Sequence, residues 1–266
     1  MSKPIALVTG TSRGIGHEIG ISLIKEGYEV YGTSRHPDSL SDEEKIPGVS
    51  FLELDLLKPD SIDTVISRFD SLDLLVNNAG FSQFGTVEEI SMENILEIFT
   101  ANLFSQIRLI KGFIPIMREQ RRGTIVNITS MAGSNPVPFS TIYGAAKGAF
   151  DKFSQGLRHE LAKYNVKVFA VAPLFANTTI FQTQDYSDDS PYIEEIMKAK
   201  QSRIKQMKKS VHPRIMAKQL MSILKKENPK YHYTVGKNAK LMGFLMHHMP
   251  QKLKERLYRK KFWLDY

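Results

Sequence analysis

Between a short apolar run, Ile5 to Val8, and a helical stretch from about Gly14 to Glu26 lies Thr9-Gly10-Thr11-Ser12-Arg13-Gly14-Ile15-Gly16. Glycines placed so allow a tight turn, bring backbone close to a pyrophosphate and let the helix pack on the strand. The helix amino end then offers N–H donors to the anion. A strand before and a helix after separate a dinucleotide loop from a merely structural glycine turn. At the end of the second apolar run, about twenty residues on, a carboxylate would receive the ribose 2′-hydroxyl of NAD and a cation the 2′-phosphate of NADP. Ser34-Arg35 occupy that place, and Arg13 adds a second guanidinium, whose fork matches phosphate oxygens. NADP(H) is therefore expected rather than NAD, for which Asp38, beyond the strand, is the argument.

A phenol and an amine form the second chemical group. Tyr143 and Lys147 stand four residues apart in a helical stretch at about 141–164, so they share one face, and Gly144, Ala145 and Ala146 between them leave room for a cofactor. A free phenol has a pKa of ~10, and a neighbouring cation draws it towards neutrality at about 1.4 kcal/mol per unit. Such a phenol can hand a proton to a carbonyl oxygen while hydride reaches the carbonyl carbon.

Both groups need a scaffold. Over the first 175 residues, β-rich apolar runs alternate with helical stretches, the pattern of parallel strands joined by crossover helices. Strands are predicted at 5–8, 29–33, 50–54, 72–76, 124–129 and 166–171, with a seventh at 231–235. Several are Val/Ile/Leu runs without alternation, as a sheet covered on both faces requires. Helices fall at about 14–26, 59–69, 92–120 and 141–164. The expected fold is a single α/β domain with a doubly wound parallel sheet, spanning residues 1–236, followed by a basic amphipathic extension over 237–266. In the long 92–120 helix, Ile95, Phe99, Leu103, Ile107 and Ile110 form a stripe suited to sheet packing or a subunit contact.

With three residues between its first two glycines, the loop makes the chain resemble the short-chain dehydrogenase/reductase family, and further landmarks follow in order. Asp55, with Leu56 beside it, ends the third predicted strand, where the family's acidic residue contacts adenine. Asn77-Asn78-Ala79-Gly80 matches the family's segment after the fourth strand. Asn102 falls on the family's active-site asparagine, and Ser130, Tyr143 and Lys147 match its serine and Tyr-x-x-x-Lys. The resemblance covers about residues 4–180. It implies that Tyr143 is the acid/base, that Ser130 hydrogen-bonds the substrate oxygen, and that Asn102 links Lys147 to water. One departure stands out, because the family's Pro-Gly after the sixth strand is Pro173-Leu174 here. Thr178 still matches the threonine that reaches the nicotinamide amide, so the cofactor grip is expected to survive while the loop path and substrate access change.

A substrate lid is expected at about 178–212. Ile180, Phe181, Tyr186 and Tyr192, with Phe84 and Phe139, imply a largely apolar pocket for a lipophilic ketone or aldehyde. The character is closest to the hydroxysteroid, retinol and acyl-dihydroxyacetone-phosphate reductase branches of the family. A rival is a 3-oxoacyl carrier-protein or CoA reductase, docking an acidic carrier on Arg121, Arg122 and the basic tail. A non-catalytic NADP-binding regulator is the alternative from another class, and the complete Ser130, Tyr143, Lys147 set argues against it.

The net charge of +8 is unevenly distributed. Residues 1–196 hold 17 Lys and Arg against 25 Asp and Glu, a net of −8, while residues 197–266 hold 19 against 3, a net of +16. Seven of the eleven methionines, including Met242, Met246 and Met249, lie in that basic segment, where they suit either core gaps or a binding wall. Leu241, Phe244, Leu253, Leu257, Phe262 and Trp263 alternate with Lys and Arg, as in a helix lying at a membrane surface. Peripheral membrane contact and a cap helix with a solvated outer face both remain open. No nucleic-acid reader motif accompanies the charge. Without cysteine there is no disulfide framework or thiolate metal site, and no metal is expected. The amino terminus lacks a secretory apolar region, so a cytoplasmic protein is expected, assembled as a homodimer or homotetramer through the helices carrying Asn102 and Tyr143.

Overall fold

The computed structural model describes residues 2–174, 182–208, 210–238 and 249–262. The apolar runs become strands β1 (Ile5–Val8), β2 (Glu29–Ser34), β3 (Val49–Glu53), β4 (Leu74–Asn77), β5 (Ser82–Gly85), β6 (Gly123–Ile128), β7 (Val166–Pro173), β8 (Gln182–Asp185) and β9 (His232–Val235). Seven of these form the expected parallel sheet in the order β3-β2-β1-β4-β6-β7-β9. Strand order diverges between β1 and β4. The crevice at their carboxy ends is therefore the switch point where open α/β sheets bind ligands.

Helices α1 (Gly14–Lys25), α2 (Pro59–Ile66), α3 (Met92–Phe99), α4 (Ser105–Gln120), α5 (Thr141–Leu161), α6 (Ile193–Lys208), α7 (Pro213–Leu224) and α8 (Gln251–Phe262) complete the chain. On one face of the sheet, Ile19, Leu23, Met216 and Leu220 of α1 and α7 pack on Ala6, Val8, Val126 and Phe169. On the other, Ile62, Val65, Phe113 and Phe150 of α2, α4 and α5 pack on Leu7, Leu75, Ile125 and Val168. Burial of both faces is why the strands read as continuous apolar runs. Each such large side chain contributes ~1.5–3 kcal/mol on burial. With β9 beside β7 and α7 against α1, the α/β body continues to Val235.

Where the sequence predicts one helix over 92–120, the structure has two, joined by a π-helical segment at Thr100–Phe104 that contains Asn102. Such widened turns cost regular hydrogen bonding and recur at functional sites. Of the predicted stripe, Leu103 and Ile110 are buried, and Ile95, Phe99 and Ile107 pack partly against the core. Met92, Leu96 and Phe104, at 67%, 58% and 54% exposure, lie on the outer surface.

Strands β5 and β8 form a separate parallel pair that ties the lid segment to the body. Gly85 permits the pairing, since a Cβ there would collide with the Asp185 carbonyl. Behind the pair, Phe84 packs with Ile196 and Ala199 of α6 and with Phe139 and Tyr186. Among the described residues no helix is long and apolar enough to cross a membrane.

Candidate active site

A cleft of about 680 Å³ runs along the carboxy end of the sheet, with Arg13, Ser34 and Arg35 at one end and Ser130, Tyr143 and Lys147 at the other. At the first end, Gly10 (φ +71°) and Gly14 (φ +67°) adopt the left-handed conformation that the loop requires. Thr9 Oγ1 accepts from the amides of Asn78 and Ala79, both at 2.9 Å, while Asn78 Nδ2 donates to the carbonyls of Thr9 and Gly10. The Asn-Asn-Ala-Gly segment thus holds the glycine loop in place. Helix α1 opens without a capping side chain and with no carboxylate in its first turn, which leaves its positive end available to an anion.

Ser12, Arg13, Gly14, Ile15, Asp55, Leu56, Asn78, Ala79 and Gly80 all line the cleft with Gly10. Thr11 and Gly16 do not. Thr11 is buried and its amide donates to the Thr33 carbonyl at 3.0 Å, so it braces the loop on β2. Gly16 lies against the Gly10 carbonyl, where a Cβ would collide. Asp55 sits two residues beyond β3 rather than at its end, held by the Leu57 amide at 3.0 Å and by Lys58 at 3.6 Å. Arg13 and Arg35 are exposed and, among the described residues, neither is in an ion pair. Asp38, in the turn Pro37–Ser39, is exposed and does not line the cleft. These residues fit a nicotinamide dinucleotide, with two guanidiniums at its ribose end.

At the other end, Ser130 follows β6 and caps the short turn Met131–Gly133, its Oγ accepting from the Ala132 amide at 3.1 Å. Ser130 stands close enough to Tyr143 to act on its phenol. Three glycines make this approach possible. A Cβ on Gly133 would reach within 2.8 Å of the Gly148 nitrogen, one on Gly148 within 2.8 Å of the Gly133 oxygen, and one on Gly144 within 2.9 Å of the Ala132 oxygen. The glycine between Tyr143 and Lys147 therefore admits the serine loop.

Lys147 is 4% exposed and donates to the Ile128 carbonyl at 3.1 Å. Burial lowers its pKa from 10.5 to about 8. Tyr143 behaves differently from the sequence expectation. Burial pushes its phenol above the usual value, and the opposing influences are Ser130 and the positive charge of Arg203, while Lys147 Nζ lies 6.0 Å from the ring centre. The phenol therefore stays protonated at neutral pH, the state a proton donor needs.

Asn102, in the π-helical turn, donates through Nδ2 to the carbonyls of Phe81 at 2.8 Å and Ile98 at 2.9 Å. Its Oδ1 is buried without a partner among the described residues. A Cβ on Gly80 would collide with that oxygen and come within 3.7 Å of Lys147 Nζ, so the two polar atoms border the same small space. Pro173 and Leu174 line the cleft. The family glycine replaced by Leu174 is accommodated through β9: the Leu174 amide donates to the Val235 carbonyl at 2.7 Å, and Gly236 (φ +129°) leaves its side chain room.

Thr178, Ile180, Phe181, Leu241, Met242, Phe244, Met246 and Trp263 lie outside the described residues. Of the expected pocket aromatics, Phe84 lines the cleft, with Phe139 and Tyr186 packed on it. Tyr192 is on the surface, donating to Glu88 at 2.7 Å. The wall is largely apolar, as expected, with Thr183, Asn135, Arg203 and Gln206 as polar members. Arg203 and Gln206 do not stand out in the sequence among the lysines of 197–209, where charge alone does not tell an inward from an outward side chain. Arg122, on the surface, pairs with Asp73 at 2.9 Å.

Residues 4–189 match the family model described as short chain dehydrogenase. The chain is 33% identical to an NADPH-dependent 1-acyldihydroxyacetone phosphate reductase of Saccharomyces cerevisiae, over 99% of this chain and 92% of that protein. It is 30% identical to a 3-ketodihydrosphingosine reductase of Bacteroides thetaiotaomicron, over 89% of each. A solved short-chain dehydrogenase from Streptomyces avermitilis superimposes with a TM-score of 0.83 at 27% identity, covering 98% of this chain and 97% of that one. The chain belongs to the short-chain dehydrogenase family, whose members are NAD(P)-dependent oxidoreductases.

Proposed function

We propose that this protein uses NADPH to reduce the ketone or aldehyde of a hydrophobic molecule to an alcohol, with Tyr143 as proton donor. The observation that carries the reading is the cleft itself, which joins two guanidiniums outside any described ion pair at one end to half-buried Ser130 and Tyr143 and a buried Lys147 at the other. A reduced nicotinamide bound there supplies hydride to the carbonyl carbon. The Ser130 hydroxyl donates to the carbonyl oxygen and opposes the negative charge growing on it. Tyr143 gives that oxygen its phenolic proton, and the Lys147 ammonium offsets the charge left on Tyr143. Asn102 Oδ1 is placed to accept from a water beside Lys147, through which the proton is replaced. The two relatives named above both act, by their names, on lipid ketones, which supports a hydrophobic substrate. NADPH oxidation against a panel of lipophilic ketones and aldehydes tests the proposal; failure with every compound would refute it.

Cofactor choice follows from Arg13 and Arg35. Changing Arg35 to Asp removes a phosphate partner and supplies a ribose acceptor, so the NADPH-to-NADH ratio of kcat/KM should fall about 100-fold. An unchanged ratio would remove Arg35 from the site.

Two associations accompany this reading. The exposed Met92, Leu96 and Phe104 favour pairing of copies across the α3–α4 surface, which sedimentation velocity would show as a dimer or tetramer and refute as a monomer. On α8, Leu253 and Leu257 are exposed beside Lys252 and Arg256, the composition of a membrane-surface helix. Each cation near an anionic leaflet contributes about 1 kcal/mol. The full chain should float with phosphatidylserine vesicles and a chain ended at Gly236 should not; equal behaviour would exclude the role.

A further inference from the structure

Arg203 enters the cleft from α6 and ends among uncharged groups. Its Nη1 donates to Ser140 Oγ at 3.4 Å, and its guanidinium carbon stands 5.8 Å from the centre of the Phe84 ring. Ser140 Oγ is itself committed to the Gln83 carbonyl at 3.0 Å. Three carboxylates line the cleft, Glu44, Asp55 and Glu97, yet among the described residues none pairs with Arg203. The charge-bearing group that acts on it is the Tyr143 phenol, and burial weakens its hold on its proton. An arginine withdrawn from water without an anion is costly, and its five donors are mostly unspent.

One turn of α6 further on, Gln206 also lines the cleft. Its Nε2 donates to Ser202 Oγ at 3.0 Å while its Oε1 is buried without a partner among the described residues. Turning that amide over lets Ser202 donate to the oxygen and puts an N–H pair where the orphaned oxygen now stands. Arg203 and Gln206 together then offer donors for an oxyanion. Ser140, which Arg203 touches, stands immediately before α5, three residues ahead of Tyr143, and Tyr143 and Arg203 act on one another. The anion would lie close to the reacting carbonyl.

Building on the reductase reading, we propose that the substrate is a hydrophobic ketone or aldehyde carrying an anionic oxygen group, a phosphate or carboxylate, near its carbonyl, and that Arg203 is the residue that selects it. The apolar portion of the substrate then extends past Phe84, and the charge is received at the foot of the lid helix.

The test compares matched pairs with NADPH: a long-chain ketone bearing a nearby phosphate monoester against its free alcohol, and a long-chain 3-oxo carboxylate against its methyl ester. Wild type should prefer at least one anionic member by about 100-fold in kcat/KM, and the preferred pair identifies the anion. Arg203→Met should erase that preference, the anionic member losing far more than the neutral one and mainly through KM, with NADPH affinity unchanged. Arg203→Lys should restore part of it, as a point charge without the fork. Equal turnover within both pairs would overturn the proposal and leave the reductase reading standing. A variant that loses neutral and anionic substrates alike would show Arg203 to be a packing residue, which also overturns it. Reduction of none of the four compounds, with no other carbonyl reduced, would take down both readings.

Discussion

Replacing Tyr143 with Phe should lower carbonyl reduction by about 1,000-fold or more while leaving fold and NADPH affinity intact. The ring volume is kept, so α5 retains its packing. What disappears is the proton donor that the cleft holds beside Ser130. Burial keeps that phenol protonated at neutral pH, so its loss removes an acid already in the reactive state. Stopped-flow NADPH oxidation and fluorescence titration of bound NADPH separate the two effects. Retention of more than a tenth of the wild-type rate would transfer the proton-donor role elsewhere.

Lys147→Met should remove activity and stabilise the fold together. The folded chain holds this ammonium at a pKa of about 8 against 10.5 for a free lysine. At neutral pH that difference is a destabilisation of about 3 kcal/mol, since burial disfavours the charged form. Between those two values the unfolded chain binds the extra proton, so wild-type stability rises with pH across the window. Methionine fills the space without the charge. It forfeits the bond to the Ile128 carbonyl, worth ~1 kcal/mol, for a net gain of about 2 kcal/mol and roughly 5 °C in Tm at pH 7. The variant's stability should also lack the rise above pH 8. Reduction should fall about 100-fold, because the charge left on Tyr143 loses its counter-ion. In the wild type, the reductive kcat/KM should be level below pH 8 and decline above it, as Lys147 loses its proton. A Lys147→Met chain that melts lower than wild type, with an unchanged pH profile, would refute the account of a strained buried cation.

The sheet is readable in the sequence because strands buried on both faces cannot alternate, and the cleft because its glycine loop and its Tyr-x-x-x-Lys pair carry fixed spacing. Less readable is anything that depends on contact between distant segments. Nothing local marks the break of the 92–120 helix at Thr100–Phe104, where Asn102 reaches across to the Phe81 carbonyl. The β5–β8 pair joins two four-residue segments nearly a hundred positions apart, each too short to register alone. Gly133 and Gly148 acquire their meaning only when the serine loop meets α5. Arg203 is one cation among many in a basic segment, and only the fold distinguishes it by turning it inward.

Hydride transfer from NADPH to a carbonyl carbon is the central claim, and isotope tracing tests it most directly. With NADPH deuterated at the transferable position and a lipophilic ketone from the reactive panel, mass spectrometry of the product should show one deuterium bonded to the new carbinol carbon. The same label from NADH should appear far more slowly, and the Tyr143→Phe protein should yield almost none. An alcohol without deuterium, or labelling as fast in the Tyr143→Phe protein as in wild type, would contradict the mechanism.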